Sequence, residues 1–407
     1  MKKHLLLIGL TFGLFFTSTQ AQDCTNGRYL VPAFTVEKIA DVEYGSNFGQ
    51  DGTTVENLKL DIYLPENDVD TERPVILLAH GGSFIGGNKS DLETQCTFLA
   101  SLGYVTVSMQ YRLINNLFDP VLIADIGLGF KKEVVRAVHD MRAAIRFLRK
   151  SFEDEGNPYG IDPDIIIVGG YSAGAILANH VAYLDDENKI PTELVDYFND
   201  QGGLEGNTGN PGYNSTPQMV LSMCGAILDT NWIETGSQPF FGMHNTDDPT
   251  VPNLEGQPDI GFPIPVTLQG DSLMYVRALD VNISTFYKSY AGSGHCDFPL
   301  ESVELIVNFV HEQVCEGSLS LSSYEKDLDF TIYPNPANEL FYVKIPQNTS
   351  EWDVYVMNMV GEVIHTDKIN AQEDKVTLRV SSIDAGVYIV KLLSKNGKEV
   401  HKKIVIQ

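Results

Sequence analysis

The chain has 407 residues, 43% of them hydrophobic and 20% charged, with a formal net charge of −26. At about 150 residues per domain that length suggests two or three domains, and the composition supplies ample material for a large core. The negative balance argues against nucleic acid or an anionic membrane surface as partner, because binding phosphates requires a basic face.

The chain opens with Lys2 and Lys3, an apolar stretch from Leu5 to Phe16, then small and polar residues. This is the layout of a secretory signal peptide over residues 1–21, with cleavage after Ala21. The apolar run is too short to span a bilayer, and no later segment is long and apolar enough to form a transmembrane segment. Gln22-Asp23 before Cys24 does not suit a lipid anchor, so the expected location is outside the cell or on its surface. Export permits disulfides, and five cysteines leave at least one unpaired. Cys224, inside the apolar run 218–228, is the expected buried thiol. Cys296 and Cys315 flank a predicted helix roughly 22 Å long, too far apart to be bridged. A Cys24–Cys315 link would tie together the two ends of the main domain.

From residue 22 to 315, apolar β-rich runs alternate with helical patterns. Strands are predicted at 58–65, 73–80, 104–111, 164–170, 218–228, 238–245 and 283–290. A helix over 131–152 places Val134, Val135, Val138, Met141, Ile145 and Leu148 on one face. Strands alternating with helices predict an α/β fold, a doubly wound and mostly parallel sheet covered on both faces. A polar stretch, residues 316–327, reads as a linker. Residues 328–407 hold short alternating runs with turn signals, among them Asn396-Gly397, and predict a small all-β sandwich.

Four pieces of the larger domain begin where a predicted strand ends, which is where open α/β sheets place their sites. "HGGSFIGG" (80–87) follows the strand "VILLA", and its glycines let backbone N–H groups approach a substrate. "GYSAG" (170–174) is a G-x-S-x-G pattern in a strand–turn–helix setting, with Ser172 as nucleophile. "HNTDDPTVP" (244–252) offers a carboxylate to orient a histidine; Asp248, next to Pro249, is preferred over Asp247. His244 reads as a loop hydrogen-bonder, since no second His stands at a metal-ligand spacing. "GSGHCDF" (292–298) supplies His295, the one strand-end histidine left with a free role.

With "HGGSF", "YRL" (111–113), "YGIDPDIIIVGGYSAGA" and the acid and histidine segments, residues 55 to about 315 resemble the α/β-hydrolase carboxylesterases of the hormone-sensitive-lipase and type-B esterase sort. The order Ser172, Asp248, His295 is the order of that fold. The resemblance implies an oxyanion hole from the N–H groups of Gly82, Ser83 and Ala173, with Ser83 in place of the usual third glycine and Tyr171 in place of a frequent acidic residue. It implies a serine hydrolase acting on carboxylic esters, small or decorating a polymer, with no metal and no organic cofactor. "IYPNPANE", "VGEVI", "IDAGVYIVKL" and "KKIVIQ" make the C-terminal module resemble the sorting domain of the type IX secretion system, which implies that machinery as a partner.

A serine peptidase of the prolyl-oligopeptidase kind shares the triad order, and a surface adhesin built on a dead hydrolase fold is the reading from another class. Three segments fall outside the motifs. The Gly- and Asn-rich stretch 200–215 reads as a surface loop, although it could border the cleft. Residues 115–130 could line an acyl pocket, and 253–272, between acid and histidine, could form a lid.

Overall fold

The computed structural model describes residues 24–315, 330–345, 350–359, 361–395 and 399–407. The expected signal peptide, the 316–327 linker and the Asn396-Gly397 turn lie outside the described residues. Eight strands build the main sheet: β1 (Val36–Phe48), β2 (Val55–Pro65), β3 (Arg73–Ala79), β4 (Val105–Met109), β5 (Ile161–Tyr171), β6 (Met219–Met223), β7 (Phe240–Asn245) and β8 (Thr285–Tyr290). Their spatial order is β1-β2-β4-β3-β5-β6-β7-β8. β1 and β2 are antiparallel to their neighbours, and every pairing from β4 to β8 is parallel. The sheet is the expected doubly wound, mostly parallel one.

The central strands are mostly apolar because helices cover both faces, and every residue of β3, β4 and β6 is buried, Thr106, Ser108 and Ser222 included. On one face lie α2 (Ile126–Glu153) and α3 (Ala173–Tyr183), with Val138, Met141, Ile145, Leu148 and Leu177 in the core. α2 starts where Asp125 accepts the Leu128 N–H at 2.9 Å, a side-chain cap on an otherwise unpaired donor. On the other face, α1 (Glu93–Ser101) and α5 (Ser302–Cys315) contribute Leu99, Ile306, Phe309 and Val310. A further helix, α4 (Asp271–Asp280), starts beside the site.

Strand order reverses between β3 and β5, and there the register brings the carboxyl ends level. Ala79 of β3 is opposite Gly170 of β5, Tyr171 is opposite Met223 of β6, and Met223 is opposite Met243 of β7. Chain segments leaving these strands therefore emerge side by side along one edge. The stretch 200–215 lies elsewhere: Thr208 O accepts from Ser46 N–H in β1 at 3.0 Å, and Glu205 pairs with Arg142 and Arg146 of α2.

The C-terminal residues form two antiparallel sheets. β9 (Thr331–Tyr333), β10 (Leu340–Lys344) and β13 (Lys375–Arg379) make one; β11 (Trp352–Asn358), β12 (Val363–Ile369), β14 (Gly386–Ser394) and β15 (Glu399–Ile406) make the other. Phe341, Val343, Val354, Val390 and Leu392 share a core of their own. Among the described residues, no helix is long and apolar enough to cross a membrane.

Candidate active site

At the turn from β5 into α3, Ser172 has φ 55° and ψ −119°, a left-handed backbone that L-residues adopt only under constraint. The crowding around it explains the small residues. A Cβ at Gly174 would sit 2.1 Å from Ala79 O, and one at Gly170 would sit 2.5 Å from that same oxygen. Strand, turn and helix fit together only because both positions lack a side chain. The turn is pinned by Ser172 N–H donating to Met223 O, and by Ile176 N–H donating to Ser172 O, both at 2.9 Å.

Ser172 Oγ lies 2.8 Å from His295 Nε2, and His295 Nδ1 lies 2.8 Å and 3.0 Å from the two oxygens of Asp248. An ionised carboxylate only accepts, so Nδ1 carries the proton and Nε2 presents a lone pair to the serine hydroxyl. The Asp248 side chain has no solvent exposure, whereas His295 is 27% exposed. Burial works against the Asp248 charge, but bonds from His244, from His295 and from the Thr250 N–H hold it well below the usual carboxylate range. Asp247 is exposed, and among the described residues its oxygen accepts only from the Thr246 hydroxyl. The structure brings Ser172, Asp248 and His295 together and leaves Asp247 aside.

Behind Asp248 lies a polar chain that motif reading missed. His244 is fully buried at the end of β7; its Nδ1 is 3.0 Å from Asp271 Oδ2, and its Nε2 is 3.0 Å from Val251 O and 3.4 Å from Asp248 Oδ2. A carbonyl only accepts, so Nε2 carries a proton. Burial pulls the His244 pKa down, but the hydrogen bonds to Asp248 and Asp271 prevail and raise it to about 9. The imidazolium thus sits between two carboxylates. Asp271, at the start of α4, also accepts from the Ser222 hydroxyl at 2.6 Å and the Gly225 N–H at 2.9 Å. No local signal finds it, because an acid at the first turn of a helix is common and its reach to His244 is set by the fold.

Of the residues expected at an oxyanion hole, Gly82 and Ser83 have φ 114° and 56°, so the loop after β3 coils tightly. Ser83 and Ala173 both border the same pocket as Ser172. The N–H groups of Gly82, Ser83 and Ala173 have no hydrogen-bond partner among the described residues. The loop rests on the turn at Ser172, since a Cβ at Gly81 would come 3.4 Å from Ser172 Cβ. His80 holds it there: the buried ring stacks on Tyr111 at 4.4 Å, and its Nδ1 donates to Gly81 O at 2.7 Å.

Residues 60–207 match the BD-FAE family, and residues 331–407 match the family described as a secretion system C-terminal sorting domain. The chain joins a BD-FAE domain, an esterase-like α/β-hydrolase, to a sorting domain. Among curated proteins it is similar to Gut esterase 1 of Caenorhabditis briggsae, 31% identical over 38% of this chain and 23% of that protein. It is also similar to Fumonisin B1 esterase of Sphingopyxis macrogoltabida, 29% identical over 30% of this chain and 22% of that protein. The matches thus span less than a quarter of either relative. Among solved structures, esterase 2 of Thermogutta terrifontis phosphorylated by paraoxon covers 71% of this chain and 96% of its own, at 18% identity and TM-score 0.49. The butyrate-bound form of that esterase gives 72%, 97%, 18% and 0.48.

The cysteines correct one expectation. Cys224 is not the free thiol; it is bonded to Cys296, with Cα atoms 5.4 Å apart, and Cys96, buried in α1, is the free one. Cys224 follows β6 directly and Cys296 follows His295, so the level strand ends place the two side by side. The Cys24–Cys315 link is present, with Cα atoms 5.8 Å apart. Two Cys/His groups are close enough to share an ion, Cys24–His311–Cys315 and Cys224–His295–Cys296, but their sulfurs are disulfide sulfurs and not thiolates. The Cys224–Cys296 bond ties the histidine loop to the strand whose Met223 O holds the Ser172 N–H. The double variant Cys224→Ser/Cys296→Ser is expected to lose roughly ten- to a hundredfold in kcat, with KM little changed, because small misplacements of reacting groups are costly. Steady-state kinetics on an activated ester would read this.

Beside Ser172 opens an apolar pocket holding about 850 Å³ of empty space, its mouth included. Phe130 brings the end of the 115–130 segment to its wall. Pro258, Ile260, Ile264, Val266 and Leu268 bring the 253–272 segment, so the stretch between acid and histidine closes one side of the cleft. The 200–215 stretch contributes no lining residue.

Proposed function

We propose that this protein is a secreted serine carboxylesterase that hydrolyses carboxylic esters through an acyl-enzyme on Ser172. One observation carries the reading: an unbroken hydrogen-bonded line from Ser172 to His295 to Asp248 at the mouth of an apolar pocket. The acyl group enters the pocket and its carbonyl carbon meets Ser172 Oγ. His295 Nε2 takes the hydroxyl proton as the new C–O bond forms, and Asp248 stabilises the imidazolium without taking a proton itself. The N–H groups of Gly82, Ser83 and Ala173 hold the negative oxygen of the tetrahedral intermediate. His295 then protonates the departing alcohol, and water enters by the same route to release the acid. The relatives named as esterases and the BD-FAE match support the reaction class. The sorting domain supports release to the exterior or cell surface by a type IX secretion machinery.

The test is a panel of p-nitrophenyl esters of rising acyl length set against a prolyl p-nitroanilide, on the full chain. Ester turnover that persists to medium chain lengths is expected. Turnover of the anilide alone would replace the esterase with a peptidase, and absence of both would leave a binding protein on a hydrolase fold.

A further inference from the structure

His180 stands apart in the pocket wall. Ser172, Ala173, Ile176, His180 and Leu184 all line the pocket, the spacing that puts residues on one face of a helix. Eight residues at 1.5 Å per residue put His180 about 12 Å along the helix from the nucleophile. Its side chain leans back towards the helix N-terminus, which shortens that span. The His180 ring is only 6% exposed and meets Trp232 edge-on, with ring centroids 5.7 Å apart. Its Nδ1 lies 2.7 Å from Ile176 O. A carbonyl can only accept, so Nδ1 carries the hydrogen and Nε2, at the outer edge of the ring, is a lone pair. Nε2 has no hydrogen-bond partner among the described residues. Burial lowers the His180 pKa to about 4, so the ring stays neutral and keeps that lone pair at neutral pH. Of the other polar groups of the lining, Trp232 beside His180 offers only an N–H donor, Ser83 and Thr250 stand beside the triad, and the Lys131 ammonium pairs with Glu193 at the surface.

We propose that His180 Nε2 is a specificity-determining acceptor, and that the pocket selects acyl groups of up to about six carbons ending in a hydrogen-bond donor such as a hydroxyl. The length follows from the span: a hydrogen bond of about 2.8 Å leaves about 9 Å, which at about 1.25 Å per bond is roughly seven bonds, the C–O bond at each end included. The donor follows from the environment. An acceptor that opens onto an apolar pocket finds few partners there, and a terminal O–H supplies one. The proposal rests on the esterase reading for placing the acyl group at Ser172, but its test does not depend on turnover.

The test measures binding of p-nitrophenyl hexanoate and p-nitrophenyl 6-hydroxyhexanoate to full-length Ser172→Ala protein by calorimetry. The hydroxylated ester is expected to bind about tenfold more tightly. The preference should vanish in Ser172→Ala/His180→Leu and return in Ser172→Ala/His180→Gln, which restores an acceptor. Equal affinity in the protein that keeps His180, as a water held on Nε2 would give, overturns the proposal. So does a preference that survives His180→Leu. Should His180→Leu fail to fold, the comparison in the Ser172→Ala protein still decides. Failure of the wild-type protein to hydrolyse either ester would count against the esterase reading alone.

Discussion

Replacing Ser172 with alanine is expected to lower kcat on an activated ester by at least about 10⁴-fold, with the fold intact. Such a loss corresponds to about 5.5 kcal/mol of transition-state stabilisation. It follows from the proposed chemistry: without Oγ there is no acyl-enzyme, and His295 Nε2 faces an empty position. Alanine is no more strained than serine at φ 55°, because both carry a Cβ. The hydrogen bonds that pin the turn use the backbone of residue 172 and survive the change. Thermal unfolding should therefore barely move while turnover collapses, and a fluorophosphonate that labels the wild type should leave the variant unlabelled. Persistent labelling or a loss below tenfold would place the nucleophile elsewhere.

The parts of this molecule legible in its sequence are those where one local rule decides the residue type. The buried stretches of β3, β5 and β6 announce themselves because a strand covered on both faces is mostly apolar. The Gly170–Gly174 turn announces itself because Ala79 O leaves no room for a Cβ at either glycine. Edge strand β1 does not. Glu37, Lys38, Asp41 and Glu43 interrupt its pattern, and its register with β2 shifts between Ile39 and Val42 and again between Glu43 and Gly45. Neither a clean alternation nor an apolar run survives there, and the strand went unpredicted.

Long-range partners were the second blind spot. Cys224 sits in an apolar run, which reads as a buried thiol, and nothing local shows that strand register delivers it to Cys296. Asp271 resembles any acid at the first turn of a helix until α4 carries it to His244. His180 resembles a core histidine because its helical position settles burial but not which ring nitrogen is left unpaired. In each case the deciding fact is a distance between segments far apart in the chain.

Asp248→Asn carries the other large expected effect, a fall in kcat of the order of 10³- to 10⁴-fold, while Asp247→Asn stays within about twofold of wild type. The reason is the direction of one proton. With a carboxylate at 248, His295 Nδ1 must donate, so Nε2 is free to accept from Ser172. An amide can turn its NH₂ towards Nδ1, which then accepts; the hydrogen moves to Nε2 and the serine loses its base. The chain behind Asp248 deepens the loss. His244, raised to about 9 by Asp248 and Asp271, keeps its proton at neutral pH and balances two buried carboxylates. Removing the charge at 248 removes one of the two groups that hold His244 protonated, and its Nε2 keeps only the Val251 carbonyl. Because the His244 pKa is raised in the folded state, its contribution to stability is complete below about 6.5 and is lost as pH climbs through 9. Asp248→Asn should shrink that contribution and bring its end, not its onset, to lower pH. Kinetics at pH 7 would follow the first effect and unfolding midpoints between pH 6 and 10 the second. An Asp248→Asn enzyme with wild-type kcat would show that the carboxylate does not orient His295.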